Sequence, residues 1–114
     1  MEIKVVNNAA IVKSNEVVIE DAASAVDFVM SIKSETGCSK IIINKEAISK
    51  DFFVLSSGLA GDILQKFVNY GIKFAIYGDF SGYTSKPLHD FIYESNQGND
   101  IFFVKDIDEA LEKI

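Results

Sequence analysis

The sequence predicts a single α/β domain spanning residues 1–114, built on a mixed, mainly parallel β-sheet with an N-terminal antiparallel ribbon and about four helices packed on it. Three observations carry this. Ile41-Ile42-Ile43 is an unbroken β-branched run, the mark of a strand covered on both faces. The segments between such runs repeat apolar residues at helical spacing. The first twenty residues instead alternate β-rich runs with turn pairs.

Element by element, Ile3–Val6, Ala9–Lys13 and Glu16–Ile19 are the short β-rich runs, separated by the turn pairs Asn7-Asn8 and Ser14-Asn15. From Asp21 the period changes. Ala22, Ala25, Val26, Val29 and Ile32 follow a helical spacing, with Asp21 as cap and Gly37 as stop. After the Ile41 strand, Leu59, Ile63, Phe67 and Ala60, Leu64, Val68 form i, i+4, i+8 stripes of a second helix ending at Gly71. Ile72–Tyr77 is the next buried strand. Ser85 before Lys86-Pro87 starts a third helix, with Leu88, Phe91 and Ile92 inward and Gly98 as its stop. Ile101–Val104 closes the sheet, and Asp106 with Glu109 matches a capping box for a short last helix. Strands alternating with helices call for crossovers, so Ile41–Asn44, Lys73–Tyr77 and Ile101–Val104 are expected to be neighbours.

Composition narrows the function classes. Hydrophobic residues make up 48% and charged residues 25%, values typical of a chain with a packed core. The net charge is −6 with no lysine cluster, which argues against nucleic acid and against anionic membranes, because both require a concentrated basic face. One cysteine, Cys38, and one histidine, His89, cannot form an internal disulfide or a closed zinc site, so no metal or cofactor is expected. A cytoplasmic location follows as the expectation, since no run reaches membrane-spanning length.

Chemistry-bearing signal is confined to Leu55-Ser56-Ser57-Gly58-Leu59-Ala60-Gly61, at the entry to the second helix. Hydroxyls and a glycine there can cap the helix, bind an anion or offer a phosphorylation position. Two readings of Ser57 stand side by side: a plain helix cap, or a regulatory position. Ligand-binding loops of such sheets gather at the carboxyl ends of the strands. The candidate anion or partner site is therefore Ser56, Ser57, Gly58, Ser85, Lys86, Lys45 and Tyr83, with two helix starts converging and two lysines nearby. Phe52, Phe53, Phe102 and Phe103 are mostly core, with one or two available to line a partner surface. An enzyme is disfavoured: no general base stands near the serines in sequence, the Gly-x-Ser-x-Gly elbow is absent, and Gly78-Asp79-Phe80-Ser81-Gly82 lacks the ending of a phosphate-binding loop.

Asp51-Phe52-Phe53, Gly58-Leu59-Ala60-Gly61-Asp62-Ile63-Leu64-Gln65-Lys66-Phe67, Gly78-Asp79-Phe80-Ser81 and Asp90-Phe91-Ile92-Tyr93-Glu94-Ser95-Asn96 resemble a family of small bacterial proteins, domain of unknown function 4180. That resemblance covers nearly the whole chain and implies no activity. At a greater distance, the element order and Ser56-Ser57-Gly58-Leu59 resemble the STAS domains of anti-sigma-factor antagonists, in which an Asp-Ser-Ser-Gly-Leu-Gly motif opens a helix and a partner kinase phosphorylates the second serine. Ser57 takes that serine's position, while Leu55 stands where the motif has Asp. The resemblance implies a STAS-like fold, a non-enzymatic regulatory or protein-interaction module, a kinase or regulatory protein as partner, and Ser57 as the phosphorylation candidate. A homodimer is compatible with it. The alternative is a small-molecule or anion-binding domain using the helix starts at Ser57 and Ser85.

Overall fold

Asn7 and Asn8 both adopt positive φ, 51° and 65°, the two-residue turn that matches strand twist, and they join β1 (Glu2–Val6) to β2 (Ala9–Lys13) antiparallel. In the computed structural model, which describes all 114 residues, β2 then pairs in parallel with β3 (Lys40–Asn44), β3 with β4 (Lys73–Tyr77) and β4 with β5 (Ile101–Val104). The sheet order is therefore β1-β2-β3-β4-β5, with β3 at the centre, β4 beside it and β5 at the edge, so the three apolar runs follow one another across the sheet.

Alternation of side chains divides the strands between two cores. Ala10, Val12, Ile41, Ile43, Phe74, Ile76, Ile101 and Phe103 face the larger core. There they meet α1 (Ala22–Thr36), α2 (Leu59–Asn69) and α3 (Lys86–Gln97) through Val29, Ile32, Ile63, Phe67 and Leu88. Ala9, Ile11, Ile42, Ala75, Phe102 and Val104 face the other side, which α4 (Ile107–Lys113) covers with Ala110. The pairs Phe102 and Phe103 thus point to opposite faces.

Caps explain the helix ends. Asp21 accepts the Ser24 N–H at 2.8 Å and the Ser24 hydroxyl accepts the Asp21 N–H at 3.0 Å, a complete capping box that also holds the Asp21 carboxyl below its usual value. Asp106 caps α4 by accepting the Glu109 N–H at 2.9 Å. The return bond differs from the expected box, because the Glu109 carboxylate accepts from Lys105, one residue earlier, at 3.2 Å.

One expected strand is absent. Glu16–Ile19 makes only an isolated bridge from Ile19 to Ile48. The cause lies at Asn44, whose carboxamide donates to the Ser14 carbonyl at 2.7 Å and accepts the Ser14 N–H at 2.9 Å, fastening the chain just past β2. Beyond that clamp, the N–H groups of Val18 and Ile19 both donate to the Ala47 carbonyl, at 2.8 and 3.1 Å. The segment belongs to the loop after β3 and not to the sheet. Val68 also departs from the expected stripe, 46% exposed near the end of α2.

Candidate functional site

Two connections leave the carboxyl ends of central strands, and together they build the surface that holds the sequence-predicted residues. The first runs from β3 to α2 as three successive 3-10 turns, Lys45–Ala47, Lys50–Phe53 and Leu55–Ser57. The second, Gly78–Ser85, runs from β4 to α3.

Ser57 does not sit at the N-cap of α2. Gly58 occupies that position with φ 77°, a left-handed conformation open to glycine at no steric cost. The Ser57 hydroxyl still serves the helix, accepting the Leu59 N–H at 3.2 Å while donating to the Asp51 carbonyl at 2.8 Å. It therefore ties the second 3-10 turn to the start of α2. Both of its hydrogen bonds go to backbone, so no side-chain base is positioned to take its proton.

Ser85 is a true N-cap, accepting the Leu88 N–H at 3.4 Å, with Pro87 in the first turn. Ser56 and Ser85 line one open groove of about 590 Å³ together with Phe53, Val54, Leu55 and Pro87. Its rim is apolar: Val54 is 52% exposed. Lys86 does not line this groove, and its ammonium pairs with Asp90 at 2.8 Å, which also raises its pKa.

Lys45 and Tyr83 lie in a second, smaller cavity of about 260 Å³, which Val17, Glu46 and Phe53 also line. The Lys45 ammonium donates to the Asp79 carbonyl at 2.5 Å and stands 5.8 Å from the Phe80 ring centre and 5.2 Å from that of Tyr83, a cation over two aromatic faces. Tyr83 stacks on Phe53 at 5.2 Å and 20°. Burial, reinforced by the Glu46 carboxylate, pushes the Tyr83 phenol up, so it is a neutral donor at physiological pH. Asp79 accepts the Ser81 hydroxyl at 2.6 Å and its N–H at 2.9 Å, and these bonds, aided by Lys45, hold its carboxyl low.

The predicted residues thus divide between two neighbouring cavities, with the Phe53 ring lining both. Phe53 is only 5% exposed and forms a wall between the two cavities. Sequence reasoning missed Val54, Glu46 and the Asp79–Ser81 turn. A pattern of Asp followed by Ser two residues on was the available signal for the last. His89 contacts the Tyr83 carbonyl through Nε2. No set of three or more His, Cys, Asp or Glu side chains is placed to hold a metal, and no helix is long and apolar enough to cross a membrane.

Residues 5–114 match the family described as "Domain of unknown function (DUF4180)". The chain belongs to that family. Among solved structures, it is similar to a candidate anti-sigma factor antagonist from Thermotoga maritima, with a TM-score of 0.51 at 18% identity, covering 99% of this chain and 92% of that one. An NMR structure of that same protein, TM1081, gives a TM-score of 0.50 at 20% identity, covering 97% of this chain and 85% of that one. These likenesses show the STAS-like fold. No curated protein matches the chain.

Proposed function

We propose that this family member is a non-enzymatic regulatory module of STAS type, cytoplasmic and bacterial, that binds a protein partner through the groove between Phe53–Ser56 and Ser85–Pro87 and is switched by phosphorylation at Ser57. The observation that carries the reading is the groove itself: an open, apolar-rimmed depression bearing two hydroxyls, beside a serine at a helix start. An exposed Val54 and a proline offer rigid apolar contact, and hydroxyls supply orienting hydrogen bonds. The fold likeness to a candidate anti-sigma factor antagonist supports the same class of partner, a kinase or a regulatory protein. A small-molecule or anion site at the two helix starts has less support, since Lys86 is engaged by Asp90 and Lys45 by the Asp79 carbonyl and two rings.

Phosphorylation adds about −2 charge at the start of α2, where the helix dipole favours it, so the fold tolerates the group while a docked apolar partner meets a hydrated dianion. Asp62 is the nearest acidic residue along α2. It belongs to the first turn of the helix, whereas Ser57 stands outside the helix, before the left-handed Gly58 cap.

The test compares wild type, Ser57→Asp and Ser57→Ala in pull-downs from the native host beside thermal melts. Ser57→Asp retains an acceptor for Leu59 and is expected to stay within about 1 kcal/mol of wild type while losing the partner. Ser57→Ala loses the bonds to Asp51 and Leu59, costs about 1 kcal/mol, and keeps more of the partner than Ser57→Asp does. Equal recovery of the same proteins by all three forms would refute the switch. A shift of the melting midpoint with millimolar phosphate would instead favour the anion reading.

A further inference from the structure

The two edges of the sheet are finished differently. On β5, the Asn96 carboxamide of α3 accepts the Phe103 N–H at 2.7 Å and donates to the Phe103 carbonyl at 3.1 Å, so a side chain occupies the place of a sixth strand. No such seal is present on β1: neither side chains nor backbone outside β2 are bonded to Ile3 or Val5. Val5 is 52% exposed and Met1 69% exposed on this edge.

The geometry of the hairpin says which groups are free. A two-residue turn with both φ values positive closes on a hydrogen-bonded pair, here Val6 with Ala9, and such pairs alternate along the ladder. Glu2, Lys4 and Val6 therefore direct their backbone groups to β2, while Ile3 and Val5 direct theirs outward. An incoming antiparallel strand must bond to Ile3 and Val5.

We infer that β1 is the homodimer interface: it pairs antiparallel with β1 of a second copy about a two-fold axis at Ile3, joining two five-stranded sheets into one of ten strands. The occupant and the register follow from charge. With Ile3 opposite the partner's Ile3, Glu2 lies opposite the partner's Lys4, and Lys4 lies opposite the partner's Glu2. Both pairs fall on one face, and Val5 meets the partner's Met1 on the other. Moving the register one ladder step in either direction places Lys4 opposite the partner's Lys4, or Glu2 opposite the partner's Glu2, which like-charge repulsion disfavours. Glu2 already has Lys13 opposite it on β2, and no ion pair in the monomer engages its carboxylate. In the dimer each Glu2 stands between two lysines. The strand is thus self-complementary in hydrogen bonding, in charge and in apolar contact at a single register. This surface is independent of the Ser57 groove.

Sedimentation equilibrium on the full chain at low salt, from about 10 to about 500 µM, reads the result. Wild type is expected to rise from 12.6 kDa towards twice that mass. Lys4→Glu and Glu2→Lys, each alone, set like charges opposite one another twice and should raise the dissociation constant roughly tenfold or more. An equimolar mixture of these two variants should associate again, as should the double variant Glu2→Lys/Lys4→Glu. Val5→Pro removes an outward N–H without touching a bond to β2, so it should abolish pairing with an unchanged far-ultraviolet spectrum. Where that spectrum changes, the charge variants decide. A wild type that stays monomeric throughout the range overturns the inference. So do charge variants that dimerise as wild type does, or single variants that fail to associate when mixed.

Discussion

Asn96→Ala should destabilise the domain although Asn96 is only half-buried on a helix flank. Its carboxamide makes two bonds to Phe103, at 2.7 and 3.1 Å, and Phe103 itself is 4% exposed. Each bond contributes about 1 kcal/mol net, and removing the partner leaves an N–H and a carbonyl on the strand edge with only partial access to water. Against this, alanine is a better helix former than asparagine by about 0.5 kcal/mol near the end of α3. The expected net loss is about 1–2 kcal/mol. With a urea slope of about 1–2 kcal/mol/M for a domain of this size, the midpoint falls by about 1 M while the slope stays constant. Asn96→Asp sharpens the test, because it keeps the acceptor for the Phe103 N–H but sets a carboxylate oxygen against the Phe103 carbonyl. It should be no more stable than Asn96→Ala at pH 7 and should recover relative to it once the carboxylate is protonated. A midpoint for Asn96→Ala within about 0.3 kcal/mol of wild type would show that water serves the β5 edge equally well, and the sealed-edge argument would fail.

Gly78→Ala should cost about 1–3 kcal/mol, because φ is 156° and the new Cβ would stand 2.9 Å from the Lys45 Cβ; a melt within about 0.5 kcal/mol of wild type would refute the close packing. The same variant should change the near-ultraviolet signal of Tyr83 by displacing Lys45 from its ring. Acid should destabilise through Asp21 and Asp79, whose carboxyls are both held below the ordinary 3.8 by bonds to Ser24 and Ser81. Because the folded values are depressed, this stabilisation is complete above the ordinary value and is lost as pH falls through the folded ones. Urea midpoints between about pH 6 and pH 2 should therefore fall less steeply for Asp79→Asn, which keeps the acceptor without the proton linkage; equal slopes would refute the assignment.

The sheet was legible in the sequence because its signals are physical requirements of burial. Ile41-Ile42-Ile43 and Ile101-Phe102-Phe103-Val104 are apolar at every position since parallel strands with helices on both faces have no wet side, and both were placed correctly. The first helix followed from Asp21 and Gly37, whose capping roles are local. What the sequence left obscure is governed by contacts distant along the chain. Glu16–Ile19 has strand propensity but is held in the loop after β3, because Asn44 pins Ser14 from thirty residues away. The loop after β3 carries neither period, so its three short turns and the burial of Phe53 could not be read from spacing. Ser57 was placed one position too far into the helix for a related reason: a left-handed Gly58 takes the cap, a choice made by tertiary placement of the turn before it.

That displacement gives the proposed switch a structural route. As the cap of α2, Ser57 would touch only its own helix; as the residue before the cap, it also holds the Asp51 carbonyl at 2.8 Å. Esterifying the hydroxyl with phosphate removes the one proton that makes this bond, while the oxygen can still accept from Leu59. The turn released is Lys50–Phe53, and Phe53 is the ring that lines both cavities, stacked on Tyr83 and 6.0 Å from Phe80. A modification at Ser57 would therefore act on the groove in two ways, by charge at its edge and by loosening the wall it shares with the Lys45 cavity. Ser57→Ala loses the same hydrogen bond without adding charge, so comparing it with Ser57→Asp separates the two. If Ser57→Ala also weakens the partner, the loosened wall contributes; if only Ser57→Asp does, the charge alone carries the switch.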